Sequence, residues 1–269
     1  MFAKRGAIRF ATYLAPNMYR VYQCVADYAG RQLGYRTELV VGESFAAFAS
    51  GEVDVGFICG LPYVQLTRNS PAPIELLAAP VLQGERYHDQ PIYFSDVIVR
   101  RDSPYHVFAD LRGCRWAYND PNSHSGYNVT RYTLVRLGET RGFFGRVVEA
   151  GFHQEALRMV ADGRVDASAI DSQVLAVELR DHPDLAGRVR IIDTLGPATI
   201  QPVAAARHVS ATLKDDLRAV LCAIGDDPAS RDALDYGFVA RFIPIADTDY
   251  DDIRMMVSVA EEAGFLELR

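Results

Sequence analysis

Short apolar runs alternate with helical patterns almost from one end of this 269-residue chain to the other, and nothing else restricts its fold as strongly. Runs rich in β-branched or aromatic residues predict strands at 7–13 (AIRFATY), 36–41, 53–58 (VDVGFI), 75–83, 92–100 (IYFSDVIVR), 114–118, 146–151, 165–170 (VDASAI), 188–194 and 202–207. Helical spacing predicts helices at 17–33, 44–50, 60–67, 126–137, 153–162, 171–180, 210–223, 228–235 and 247–263. Strands and helices that alternate in this way build parallel sheets covered by helices, so the expected class is α/β.

One echo divides the chain. GEVDVGFI (51–58) and GRVDASAI (163–170) share Gly-x-Val-Asp followed by an apolar strand that ends in Ile. Gly51 and Gly163 suit the left-handed position just past a helix end. Two such units point to two lobes of related architecture, and 49% hydrophobic residues are enough to give each a core. Two segments suit the crossings: IYFSDVIVRRDSP (92–104), and IIDTLGPATIQPVAAAR (191–207) read as strand, Gly-Pro turn, strand. The expected lobes are then 1–100 with 199–269, and an inserted 101–198. The acidic DTDYDDI (247–253) reads as a helix start with carboxylates against the dipole.

Several function classes drop out. A net charge of −7, with Lys and Arg scattered, argues against nucleic acid. No apolar run approaches the roughly 20 residues that span a bilayer. The N-terminus has basic residues but no apolar core of a signal peptide, which fits a cytoplasmic chain or one whose leader has been removed. Four cysteines (Cys24, Cys59, Cys114, Cys222) lie in apolar surroundings without CxxC and read as buried free thiols. There is no P-loop, no GxGxxG after the first strand, no GxSxG and no HExxH, so no cofactor and no metal are expected. His153-x-Glu155 lacks the PCxxC that a zinc deaminase would carry.

What remains is YNDPNSHSGYNV (118–129). It leaves a strand and enters a helix whose first turns carry unsatisfied N–H donors and the positive end of the dipole. Ser123 and Ser125 add hydroxyls, His124 a ring N–H, and Gly126 an open approach to the backbone. From chemistry alone, an anion cradle and a plain serine helix cap are equally good readings.

Taken together in this order, GEVDVGFICGLPYV (51–64), YFSDVIVRRDS (93–103), LRGCRWAYNDPNSHSGYN (111–128), GFHQEALRMVADGRVDASAIDS (151–172) and TLGPATIQP (194–202) resemble PhnD-like proteins, the substrate-binding components of ABC importers for phosphate, phosphite and phosphonates. The resemblance covers about residues 8–207. It implies a type II periplasmic-binding-protein fold: two α/β lobes, two hinge strands and the ligand cleft between them. It further implies a small oxyanion ligand, an ABC permease as partner, a monomer, and a periplasmic or extracytoplasmic location.

By the same resemblance Tyr93 faces the oxyanion, Ser123, His124 and Ser125 form the anion loop, and His153 and Asp171 complete the site. Phe152 stands where relatives have serine. The segment GESFAAFAS replaces a tyrosine-bearing stretch, leaving Ser44 or Phe45 near that place; Ser44 and Tyr63 are the candidates from the first lobe. Tyr93, the serines and His153 are donors, as an oxyanion requires, whereas Asp171 is an acceptor. One acceptor among donors favours an oxyanion that keeps a proton over sulfate. Two other readings stand beside non-catalytic transport: a cytosolic enzyme on the same fold, similar to those of the futalosine route and acting on a small carboxylate or phosphate-bearing substrate, and a sensory domain. No coupled nucleophile and base supports the first, and no helix-turn-helix precedes the second.

Overall fold

A computed structural model of the chain describes residues 6–268. Its strands are β1 (Ala7–Thr12), β2 (Arg36–Val41), β3 (Val55–Phe57), β4 (Ile74–Leu82), β5 (Ile92–Arg100), β6 (Arg115–Tyr118), β7 (Arg146–Glu149), β8 (Ala167–Asp171), β9 (Val189–Thr199), β10 (Val203–Ala206) and β11 (Val239–Ile243). The helices are α1 (Tyr19–Leu33), α2 (Ala46–Ser50), α3 (Gly60–Leu66), α4 (Val129–Arg136), α5 (His153–Ala161), α6 (Ser172–Asp181), α7 (Pro183–Arg188), α8 (Ala211–Ala223), α9 (Arg231–Tyr236) and α10 (Asp251–Glu262).

Two compact units result, one containing the chain up to Ile92 together with Thr199–Tyr250, the other Tyr93–Ala198 together with Asp251–Arg269. The first holds a six-stranded sheet in the order β11-β4-β10-β3-β1-β2, the second a five-stranded sheet in the order β7-β6-β8-β5-β9. The two share a pattern. In the first, β1 lies between parallel neighbours β2 and β3, and β10 joins β3 antiparallel. In the second, β6 lies between parallel neighbours β7 and β8, and β5 joins β8 antiparallel.

The sequence echo marks equivalent places in these sheets. Gly51 and Gly163 have φ of 79° and 72°, so each ends its helix in the left-handed region where a side chain would be strained. The following aspartates do the same work. Asp54 Oδ2 accepts from the Arg9 N–H at 2.8 Å while the Asp54 N–H donates to the Arg9 carbonyl at 2.9 Å. Asp166 Oδ2 accepts from the Arg115 N–H at 2.7 Å while the Asp166 N–H donates to the Arg115 carbonyl at 2.8 Å. Each pair joins the start of the central parallel strand to the turn before its neighbour.

The expected boundaries need correcting. The chain passes between units after residues 92, 198 and 250, three times rather than twice, and the C-terminal segment belongs with the second unit. There α10 packs on α4, Arg131 Nε donates to the Phe265 carbonyl at 3.1 Å, and Phe265 is buried. A helix with one apolar stripe buries it against any neighbour of complementary shape, so its pattern does not name the partner. Gly196-Pro197 makes no turn, since β9 runs through it to Thr199. Strand β11 and helix α7 were not expected.

In the second unit, Leu157 and Val160 of α5 pack with Ile98, Val165, Ile170 and Leu175 beside the sheet. Each aliphatic side chain buried in this way contributes about 1.5–3 kcal/mol. Trp116 of β6 is fully buried and stacks on Phe144 at 4.5 Å between ring centroids.

Candidate functional site

Strand direction gathers the candidates of the second unit. β6 and β8 are parallel, so the loop after Tyr118 and the turn after Asp171 leave one edge of the sheet, the edge where open α/β sheets bind ligands. β5 runs the other way with Ser95 opposite Asp171, which brings Tyr93, its second residue, to that same edge. There the buried Tyr93 ring lies 6.4 Å from the His124 ring, centroid to centroid.

The helix after the loop starts two residues earlier than expected and in a wider form. Ser123 is extended (φ −78°, ψ 132°), and residues His124–Asn128 form one π-type turn that runs into α4. Its hydrogen bonds span five residues: the Asn128 N–H donates to the Ser123 carbonyl at 3.1 Å, and the Val129 N–H to the His124 carbonyl. Ser123 Oγ accepts from the Gly126 N–H at 3.1 Å and so caps the turn.

Side chains converge on this turn. Ser123 Oγ and Ser125 Oγ are 3.5 Å apart, and Ser125 Oγ lies 3.0 Å from His153 Nε2. His153 is the first residue of α5, and its Nδ1 is buried with no hydrogen-bond partner. Asn128 Nδ2 lies 3.2 Å from His124 Nδ1, a pairing that helical i, i+4 spacing permits. Burial lowers the pKa of both His124 and His153 to about 3, so both rings are neutral near pH 7.

Gly126 lies in a crowded place. A Cβ there would sit 1.9 Å from Asn119 Oδ1 and 3.1 Å from His153 Cε1. Asn119 and Asn128 were absent from the expected site. The only signal for Asn119 was its place at the strand end, and for Asn128 its spacing from His124.

Asp171 is buried and caps α6, its Oδ1 accepting from the Gln173 and Val174 N–H groups at 2.8 and 3.1 Å. That is the ordinary work of an N-terminal aspartate. The two first-lobe candidates lie in the other unit. Ser44 Oγ accepts from the Ala46 N–H at 3.2 Å and its carbonyl from the Tyr13 hydroxyl at 3.1 Å. The Tyr63 hydroxyl donates to Asp247 Oδ1 at 2.5 Å, beside a cavity of about 450 Å³ within that unit.

Comparison with known proteins decides the family. A family model described as "ABC transporter, phosphonate, periplasmic substrate-binding protein" matches residues 10–250. This chain belongs to that family. Its fold matches solved structures of low sequence identity. The binding-protein component of an ABC phosphonate transporter from Pseudomonas aeruginosa aligns with a TM-score of 0.83 at 18% identity, over 97% of this chain and 88% of that one. PhnD1 from Prochlorococcus marinus, in complex with methylphosphonate, aligns at 0.80 and 16% identity, over 95% and 98%. A Xanthomonas citri protein bound to ATP aligns at 0.72 and 19%, over 97% and 99%. The phosphonate-binding family thus has the type II periplasmic-binding-protein fold here, and its members are substrate-binding components of transporters rather than enzymes. Among the described residues no helix is long and apolar enough to cross a membrane.

Proposed function

We propose that this protein binds a phosphonate-, phosphite- or phosphate-type oxyanion on the 123–126 turn and presents it to an ABC permease on the periplasmic side of the membrane. The observation that carries the reading is the Ser123–Ser125–His153 chain at the tip of the helix that continues into α4. A neutral imidazole that hydrogen-bonds Ser125 leaves hydroxyl and amide dipoles, rather than a cation, to meet the anion. Oriented dipoles of that kind hold an oxyanion tightly while distinguishing its protonation state.

Tyr93 reaches the same edge and completes the donor set. The Asp171 carboxylate, which caps α6 through Oδ1, is the acceptor for a proton on the ligand. That arrangement favours hydrogen phosphate, phosphite or a phosphonate monoanion over sulfate, which carries no proton near pH 7. The methylphosphonate complex of the Prochlorococcus relative supports this ligand class.

Isothermal titration with methylphosphonate, phosphite, phosphate and sulfate tests the reading. Heat from at least one phosphorus oxyanion and none from sulfate is expected. Equal affinity for sulfate, or no binding of any phosphorus oxyanion, overturns it.

A further inference from the structure

We infer that the C-terminal segment is a positioning clamp for the anion turn, with Tyr127 and Arg131 as its receiving residues. This rests on the proposed oxyanion reading but is argued from contacts that reading does not use. Tyr127 stands in the π-type turn itself, one residue past Gly126, and is buried. Its hydroxyl accepts from the Leu268 N–H at 3.3 Å, across 141 residues of sequence. One turn further on, Arg131 Nε donates to the Phe265 carbonyl at 3.1 Å, and its guanidinium lies 5.7 Å from the centre of the Tyr127 ring. Tyr118, the last residue of β6, meets that ring edge-on at 4.8 Å. Phe265 and Leu268 are both buried, and α10 packs on the π-type turn as well as on α4.

A π-type turn is rarer and less stable than an α turn, and outside contacts must supply what its geometry lacks. Here some of those contacts come from the C-terminus. They hold the turn with Ser123, Ser125 and Gly126 already placed. A turn that frays without them binds ligand only in the fraction of molecules that have it formed, and the apparent affinity falls by that fraction. The clamp residues touch no ligand. Their part is to keep the site assembled before ligand arrives.

The test uses the full chain with Tyr127→Phe, which removes only the hydroxyl, and Arg131→Met, which removes the donor and keeps the stem. Amide hydrogen exchange is read at Gly126 and Asn128 in the turn and at Ala169 and Ile170 in β8. In each variant, exchange at the two turn amides is expected to rise about fivefold, the factor that one neutral hydrogen bond corresponds to, with β8 unchanged. The Kd for methylphosphonate is expected to rise in proportion to the fall in the fraction of molecules with the turn formed. Unchanged exchange at Gly126 and Asn128 in both variants overturns the clamp. Faster exchange with an unchanged Kd overturns its role in binding. If the wild type binds neither methylphosphonate nor phosphate, the oxyanion reading fails, and the exchange measurement still decides the clamp by itself.

Discussion

Acid should weaken the second unit through its two buried histidines, by an amount the structure sets. An unfolded histidine titrates near 6.5, whereas burial lowers His124 and His153 to about 3. A depressed histidine pKa means that the unfolded chain binds protons the folded chain refuses. The neutral-ring stability is therefore fully present above pH 6.5 and is lost as pH falls from there towards 3. With these values, the loss between pH 7 and pH 5 is about 2 kcal/mol for each ring. Carboxylates and other groups contribute as well, so the quantity to measure is a difference between proteins. In His153→Gln the amide can still meet Ser125, and only one of the two buried rings remains. Urea unfolding at pH 7 and pH 5, followed by the fluorescence of Trp116, the chain's single tryptophan, reports on the unit that holds both rings. The wild type should lose about 2 kcal/mol more than the variant over that interval. Equal losses within about 0.5 kcal/mol would refute the claim that His153 is buried and neutral.

Other outcomes follow from the same geometry. Gly126→Ala places a methyl group against Asn119 and the His153 ring, so methylphosphonate affinity should fall at least tenfold in a titration while the thermal midpoint moves by only a few degrees. Asp171→Asn keeps an oxygen to cap α6, so thermal stability should hold while the preference for phosphate over sulfate shrinks; an unchanged preference removes Asp171 from the site. Asp54→Ala and Asp166→Ala each remove a hydrogen bond to a backbone N–H and should cost about 0.5–1.5 kcal/mol. Because the two lie in separate units, their costs should add in the double variant, and strong coupling would count against that independence.

Local pattern made much of the fold legible. The strand at 92–100 was placed to the residue because a stretch rich in aromatic and β-branched residues ends in charges and Pro104. Gly51 and Gly163 were readable because a left-handed position after a helix almost demands glycine. Elements held by distant partners were not legible. Strand β11, VARFI, is half exposed and exists through its antiparallel pairing with β4, about 160 residues earlier. Helix α7 is six residues long, too short for a periodic signal. The stripe on α10 was visible, but its partner was not.

The candidate site divides in the same way. Ser123 and Ser125 could be read as an anion loop or as a cap, and Ser123 is a cap in the structure. The contact between Ser125 and His153 bridges 28 residues and became visible only through family resemblance. Tyr127 and Arg131 fall inside the helix expected at 126–137, and no local pattern ties them to Phe265 and Leu268.

Titration of methylphosphonate into the wild type and Ser125→Ala bears most directly on the binding account. A hydroxyl that donates to an anion is worth about 1.5–3 kcal/mol, so the variant should bind roughly 10- to 100-fold more weakly with its fold intact. An affinity equal to that of the wild type would show that the anion rests elsewhere.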